Sequence, residues 1–219
     1  MKQDFFEPGV VYHIFNRGNN KEDIFKEEKN YTYFLSLIEK YLFPVSEIYA
    51  FCLLKNHFHL ALRIKDEQFL EDKYKQKTYL PFSNLFNAYT KSINKTYFRT
   101  GSLFQEHLHR KRVEDEDYLM QLIAYIHLNP VKHGFSDDFK SYPYSSYKYY
   151  TNRDLTGFEN LLGLKETDEK NKGLTNLRDL LGLKILNGEY IMSLFGDAAN
   201  FEYWHNLNKL YLEDRMDDI

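Results

Sequence analysis

The strongest constraint on the fold is a pair of apolar segments separated by a two-residue turn. Residues 46–54 and 57–64 are both predominantly apolar, and only Lys55 and Asn56 lie between them. Apolar runs on either side of a short polar turn are typical of a β-hairpin. The two segments therefore predict adjacent antiparallel strands, the second of which has one face in the core.

The second strand carries two histidines, His57 and His59. Because successive side chains of a strand point to opposite faces, both histidines leave the same face, about 6–7 Å apart at Cα. Phe58 and Leu60 point to the other face. Such a pair is a workable chelator for a divalent cation. From the spacing alone, two half-exposed histidines on a polar face are the simpler interpretation.

Composition excludes several classes of protein. A chain of 219 residues, 43% hydrophobic and 28% charged, predicts one globular domain with at most a small appendage. No apolar run approaches the ~20 residues of a membrane span, and the N-terminus does not begin a signal peptide. The single cysteine, Cys52, lies in the first hairpin strand and is expected to be buried in a reducing compartment. We therefore expect a cytoplasmic protein with no membrane partner.

The distribution of charge, rather than the net charge of −3, suggests a nucleic-acid partner. Between residues 87 and 112, six lysines and arginines accompany a single acid, Glu106. Phosphates respond to charges within about one Debye length, ~10 Å at 0.1 M salt. The 19 tyrosines and 18 phenylalanines also include candidates for base stacking. The expected phosphate contacts are Arg17, Lys91, Lys95, Arg99, Arg110, Lys111, Arg112 and Lys132.

Periodicity elsewhere completes a β-α-β-β-α-β order. The predicted elements around the hairpin are a strand over 10–16, a helix over 27–41, a helix over 81–98, a strand over 103–113 and a further helix over 114–128. That order is the ferredoxin-like split βαβ arrangement, an α+β fold with an antiparallel sheet and helices on one face. After Tyr150 the composition changes. We expect one domain over residues 1–150 and a helical C-terminal extension over 151–219, docked on the core and mobile in its first part.

The helix after the fourth strand carries a second group of candidates. Tyr118, Tyr125 and Asn129 fall on one stripe at 100° per residue, and Tyr125 and Asn129, four apart, are neighbours. Pro130 predicts that the helix ends at about Leu128 or Asn129. His127 faces nearly opposite to Tyr125, which argues against a shared site.

Five segments in this order resemble a known family. They are Val11-Tyr12-His13-Ile14-Phe15-Asn16-Arg17-Gly18-Asn19, Leu54-Lys55-Asn56-His57-Phe58-His59, Gly101-Ser102-Leu103-Phe104-Gln105, Tyr125-Ile126-His127-Leu128-Asn129-Pro130-Val131-Lys132 and Tyr142-Pro143-Tyr144-Ser145-Ser146-Tyr147. Over roughly residues 8–150 the chain resembles the single-tyrosine HUH transposases of bacterial insertion sequences. The resemblance is greatest to their REP-associated tyrosine transposase branch.

The resemblance implies a substrate and a chemistry. It implies that His57 and His59 bind Mg²⁺ or Mn²⁺ and that Tyr125 attacks a scissile phosphate of single-stranded DNA beside a hairpin, forming a 5′-phosphotyrosine. Insertion-sequence relatives carry a glutamine as third ligand four residues after the tyrosine. Here that position is Asn129, as in the REP-associated branch. The protein is expected to act as a monomer or a homodimer.

Several alternatives stay open at this point. Gln121, four residues before Tyr125, could replace Asn129 as a ligand, and Tyr118 could be the nucleophile in place of Tyr125. His107-Leu108-His109 repeats the histidine pattern but precedes three basic residues, so it is expected to face DNA or solvent. His13 is left without a role. A hairpin-binding protein that no longer cuts, or a metal-dependent nuclease without a joining step, are the competing functions.

Overall fold

The computed structural model describes residues 6–151 and 186–213. Its centre is a four-stranded antiparallel sheet with the strand order β2-β3-β1-β4. The strands are β1 (Val11–Arg17), β2 (Ser46–Leu54), β3 (His57–Ile64) and β4 (His109–Val113). This order, with one helix of ten or more residues in each of the two crossovers, confirms the predicted ferredoxin-like fold.

The predicted helices are present in the predicted order, and two short helices that were not predicted, over Asp72–Lys75 and Tyr147–Thr151, are added. The helices are α1 (Glu28–Leu37), which a π-helical turn extends over Ile38–Leu42, α2 (Asp72–Lys75), α3 (Leu80–Thr96), α4 (Glu116–Lys132), α5 (Tyr147–Thr151), α6 (Gly188–Phe195) and α7 (Ala198–Glu213). Short 3₁₀ turns cover Asn19–Lys21 and Glu67–Phe69. In these two parts of the chain no helix is long and apolar enough to cross a bilayer.

Both faces of the sheet are covered by helices. On one face Ile14, Phe58 and Leu60 join a core with Phe34 of α1 and Leu85 of α3, which is the predicted layer of helices. On the other face α4 packs chiefly against β2, and α6 and α7 pack against α4. The prediction of helices on one face is therefore correct for α1 and α3. Helix α4 and the C-terminal helices add a second layer on the other face.

The hairpin has the predicted bounds, and hydrogen bonds from residues outside the hairpin hold its turn in place. The carbonyl of Lys55 accepts hydrogen bonds from the amides of Ile24 and Phe25, and the carbonyl of Asn56 accepts one from Gly18 at 2.8 Å. Neither turn residue adopts a positive φ. Since buried backbone groups need partners, these bonds fix the turn on the segment after β1. They thereby fix the position at which β3 begins.

Two predicted boundaries are wrong for identifiable reasons. The fourth strand begins at His109 rather than at residue 103. Upstream, two backbone bonds (Gln105 to Arg17 and Asn19 to Leu103) and an isolated bridge between Phe104 and Gly18 do not continue into a ladder. Helix α4 continues through Pro130 to Lys132. A proline so near the end of a helix removes only one closing hydrogen bond, and the next turn still closes.

The C-terminal helices dock on α4. In particular Phe195 of α6 and Phe201 of α7 share a buried cluster with Ile126. Residues 152–185, which include most of the segment expected to be mobile, lie outside the described residues. The domain boundary after residue 150 stays a prediction.

A chain of hydrogen bonds between buried groups joins α7 to the core. His205 Nδ1 donates to the carbonyl of Phe201 at 2.7 Å, so its Nε2 accepts from His127 Nδ1 at 2.8 Å. His127 Nε2 then accepts from the hydroxyl of Ser146 at 2.7 Å, and that hydroxyl accepts from the amide of Phe51. Protonation of the His127 or the His205 imidazole would break this series of hydrogen bonds.

Acidification should therefore destabilise the protein. Burial, with the Lys140 charge adding to it, lowers the pKa of His205 from 6.5 to about 4, although the bond to Phe201 opposes the shift. The unfolded state binds the proton more readily. The contribution of His205 to the free energy of unfolding is therefore fully present above pH 6.5 and is lost as the pH falls towards 4. The loss from this group is about 3 kcal/mol. Urea unfolding at several pH values measures it.

A matched pair of variants assigns the effect. His205→Gln should be less stable than wild type at pH 7 but show a shallower decline between pH 6.5 and 4. The exposed His107→Gln should leave the wild-type decline unchanged. A decline as steep in His205→Gln as in wild type would place the pH sensitivity elsewhere.

Candidate active site

A cavity of about 470 Å³ lies where β1 ends and β3 begins, against the C-terminal half of α4. Its walls come from four separate parts of the chain, which the antiparallel pairing of β1 with β3 and β4 brings together. The lining side chains include Phe15, Arg17, Asn56, His57, His59, Gln105, His109, Tyr125, Lys132, His133 and Phe135.

The two hairpin histidines face this cavity from the sheet. His57 is the first residue of β3, and the rings of His57 and His59 lie edge to face with centroids 5.3 Å apart. Phe58 between them points into the opposite core. The alternation expected from the sequence is present, and it directs both imidazoles towards α4.

Each of the two rings is held by a hydrogen bond at Nδ1. His57 Nδ1 donates to Asn56 Oδ1 at 2.6 Å, and His59 Nδ1 lies 3.0 Å from His13 Nε2. The bond to Asn56 Oδ1 requires Nδ1–H in a neutral His57, so its Nε2 keeps a lone pair. His59 keeps a lone pair on Nε2 in the tautomer that donates from Nδ1 to His13. Partners of this kind fix the tautomer and the orientation of metal-binding histidines in proteins.

The imidazoles of His13, His57 and His59 are neutral near pH 7. Burial, with help from His133 and Arg17, lowers the pKa of His57 to about 3. Burial and the nearby Lys111 lower the pKa of His13 to about 4, and burial also holds the pKa of His59 well below 6.5. Neutral rings are the form that can donate a lone pair.

Tyr125 reaches the same place from α4. Its ring lies edge to face with His59 at 5.6 Å and with His13 at 6.0 Å between centroids. The ammonium group of Lys132, two turns later on the helix, lies 5.1 Å from the centre of the tyrosine ring. Burial raises the pKa of the Tyr125 phenol, and a hydrogen bond with the Asn129 side chain opposes the rise. The phenol therefore carries its proton at neutral pH.

Asn129 is fully buried beneath Tyr125. Its Nδ2 donates to the main-chain carbonyl of Tyr125 at 2.7 Å, and its Oδ1 has no hydrogen-bond partner. His59 Nε2 is likewise buried and without a partner. Neither Asn129 nor Gln121, the alternative third ligand, is part of the cavity wall, and Gln121 is exposed whereas Asn129 is buried.

These two atoms are what a divalent cation site would need. A buried acceptor without a partner costs about 1–3 kcal/mol, a cost that a bound cation removes. Two imidazole nitrogens and one amide oxygen suit Mn²⁺, and Mg²⁺ with water completing its coordination. Within residues 6–151 and 186–213, no group of three or more histidine, cysteine, aspartate or glutamate side chains could hold a metal ion. The donor set of His57, His59 and Asn129 stays a prediction, to which the two buried atoms without partners, His59 Nε2 and Asn129 Oδ1, lend support.

The other tyrosine and the second histidine pair occupy different places. Tyr118 is exposed and does not line the cavity. His109 does line it and stacks on Phe15 with ring centroids 5.0 Å apart, whereas His107 lines a separate cavity beside α3. The second pair therefore does not converge on one point.

The structure divides the eight predicted phosphate contacts among several surfaces. Arg17 and Lys132 line the cavity, and Lys111 stands opposite His13 on the same sheet face. Lys91 and Lys95 are exposed on α3.

The other three arginines make contacts within the protein. Arg99 pairs with Glu22, and Arg112 pairs with Glu7 at the far end of β4. The guanidinium of Arg110 lies over the ring of Phe6 on the opposite sheet face. Three of the eight predicted phosphate contacts thus lie beside the cavity.

Three residues of the site have no role predicted from the sequence. His13 orients His59, Asn56 orients His57, and the ring of His133 lies 4.7 Å from that of His57. Strand alternation in β1 places His13 on the same face as Phe15, and this alternation is the sequence signal that could have assigned His13 to the site. The register that sets His13 diagonally across from His59 is a tertiary property.

The fold and the site together define a class, a ferredoxin-like sheet that presents two strand histidines to a helix tyrosine. No family model matches the chain. Over 110 residues the chain is 29% identical to a Haemophilus influenzae protein named as a REP-associated tyrosine transposase. That alignment covers 46% of this chain and 58% of the relative, so the chain spans less than two thirds of the relative's length.

A solved structure gives the second match. It is described as a REP-associated tyrosine transposase bound to a REP hairpin, with a TM-score of 0.54 and 14% identity. The match covers 71% of this chain and 87% of the solved chain, and at this identity it shows the fold alone. The predicted resemblance to the REP-associated tyrosine transposases is confirmed by the two comparisons together.

Proposed function

We propose that the protein is a tyrosine transposase that cuts and rejoins single-stranded DNA beside a hairpin through a 5′-phosphotyrosine. One observation carries the proposal. The ring of Tyr125 lies 5.6 Å from that of His59, in a cavity that His57 and His59 line as neutral imidazoles. The confirmed resemblance supports the same assignment.

The proposed reaction is a phosphoryl transfer to the phenol. The phenol oxygen of Tyr125 forms a bond to phosphorus, and the bond between phosphorus and the 3′ oxygen breaks. The phenol loses its proton, and the departing 3′ oxygen gains one. The products are a 5′-phosphotyrosine and a free 3′-hydroxyl. Because one phosphodiester is exchanged for another, a later 3′-hydroxyl can reverse the step and join strands without an external energy source.

The other side chains bind and orient the phosphate. When held by His57, His59 and Asn129, Mg²⁺ or Mn²⁺ would polarise the scissile phosphate. Lys132, next to the tyrosine ring, and Arg17, at the rim of the cavity, supply positive charge for the phosphate and its neighbour. Phe15 and Phe135 also line the cavity and offer surfaces against which a base can pack.

A covalent adduct is the direct test of this function. Wild-type protein incubated with labelled single-stranded hairpin DNA and Mn²⁺ should yield a protein–DNA band that survives denaturation, together with a fragment ending in a 3′-hydroxyl. EDTA should abolish both products.

The same experiment separates the competing functions. Cleavage without an adduct would indicate a nuclease, and binding without cleavage would indicate a hairpin-binding protein. Adding a second strand with a 3′-hydroxyl should convert the adduct into a longer DNA product.

A further inference from the structure

Phe98, just after helix α3, is exposed to an unusual degree. Its relative exposure is 97%, the highest of any large hydrophobic residue in the described parts of the chain. Its φ of 51° lies in the left-handed region, which is uncommon for a bulky side chain. The fold therefore gains no burial from this ring and carries the strain of its backbone.

The position is one that glycine normally fills. Helix α3 ends at Thr96, and the amide of Arg99 closes the helix by donating to the carbonyl of Asn94 at 3.0 Å. In this helix-ending turn the residue before the closing amide adopts the left-handed conformation, for which glycine has no side-chain penalty. Stability alone would select glycine at residue 98.

The loop that presents Phe98 is firmly tied. The Arg99 guanidinium donates to the Asn94 side chain and to the carbonyl of Ser102, and it pairs with Glu22. Asn94 in turn donates to the carbonyl of Gly101 at 2.9 Å. A ring held out on a braced loop is presented to a partner at little entropic cost.

Exposed lysines lie on the segments that hold the ring. Lys91 and Lys95 on α3 are exposed, and so is Lys21, which precedes the Glu22 that Arg99 neutralises. The loop then contacts the turn just after β1, where the amide of Asn19 donates to the carbonyl of Leu103. Phe98 therefore lies at the end of the sheet that carries the candidate active site.

We propose that Phe98 is a stacking platform for an unpaired base of single-stranded DNA, with Lys21, Lys91 and Lys95 contacting the adjoining phosphates. An exposed aromatic ring beside lysines matches a ligand with a flat base and an anionic backbone. The inference rests on the proposed function for the identity of the ligand. It adds a second contact to the DNA, outside the cavity that holds the tyrosine.

The variant Phe98→Gly should move stability and binding in opposite directions. Relief of the left-handed strain should raise the melting temperature by about 2–4 °C. Loss of the stacked base should weaken binding to a hairpin with unpaired flanks by about 5- to 150-fold. Phe98→Trp should bind at least as well as wild type. Fluorescence anisotropy with labelled DNA and thermal unfolding supply the two measurements.

Phe69→Ala is the matched control, since Phe69 is 65% exposed and follows the opposite end of β3. It should leave DNA binding unchanged. If Phe98→Gly binds DNA as wild type does, the stacking platform is refuted while the proposed function stands. If Phe98→Gly instead alters the oligomeric state of the free protein, the ring contacts a second copy and the inference is also refuted. A wild-type protein that binds no hairpin DNA would overturn both proposals.

Discussion

Tyr125→Phe should fold and bind DNA as the wild-type protein does, yet form no covalent adduct and leave the strand uncut. The substitution removes only the phenol oxygen and keeps the ring that packs against His59 and His13. The free energy of unfolding should change by about 1 kcal/mol or less, since the ring contacts stay and the bond from Asn129 Nδ2 goes to the main-chain carbonyl of residue 125, which the variant keeps. The cleavage rate should fall by at least about 10⁴-fold, because no other group supplies the nucleophile.

Tyr118→Phe is the matched control. Tyr118 lies two turns earlier on α4, is exposed and does not line the cavity. Its loss should leave adduct formation nearly intact. The measurement is a denaturing gel with labelled hairpin DNA at saturating protein, so that a binding defect does not mimic a chemical one. If Tyr125→Phe still forms the adduct and Tyr118→Phe does not, the nucleophile is assigned to the wrong turn of the helix.

Local pattern is enough to predict the central hairpin. The bounds of β2 and β3 follow from two apolar runs and one turn, because alternation and turn chemistry act over a few residues. The spacing of Tyr125 and Asn129 likewise holds, because a helix repeats every 3.6 residues. One local feature is not predictable in this way. In β2 the register shifts between Ile48 and Ala50, a bulge that no single-strand pattern reveals.

The rest of the site depends on contacts between distant segments. His13 approaches His59 only because β1 pairs with β3 in one particular register. Asn56 is recognisable as a turn residue, but its bond to the ring of His57 depends on how the turn is anchored. Sequence periodicity places a side chain on a face, whereas tertiary pairing decides which side chains from two faces meet.

Charge clustering along the chain is a poor guide to charge clustering in space. Arg110, Lys111 and Arg112 are consecutive in β4, so alternate side chains must leave opposite faces of the sheet. Only Lys111 faces the cavity side, opposite His13. Strand alternation therefore separates these three residues in space, although they are adjacent in the chain.

Loss of a proposed metal ligand should stop cleavage in a different way from loss of the phenol. His57→Ala and His59→Ala each remove one of three donors, so affinity for Mn²⁺ should fall by more than the 10- to 100-fold typical of an orienting partner. His13→Ala, which removes only the group that orients His59, should fall within that 10- to 100-fold range. Calorimetric titration of each free protein with Mn²⁺ measures these affinities without reference to activity.

Activity should then follow metal occupancy. Excess Mn²⁺ should partly restore adduct formation in the two ligand variants, whereas no concentration of metal can restore it in Tyr125→Phe. His109→Ala is the matched control, because this exposed histidine lines the same cavity but stacks on Phe15 and is not one of the proposed donors. It should bind Mn²⁺ as wild type does. Wild-type Mn²⁺ affinity in both His57→Ala and His59→Ala would show that the hairpin histidines do not hold the metal, and Asn129 would then lose its proposed role as their third partner.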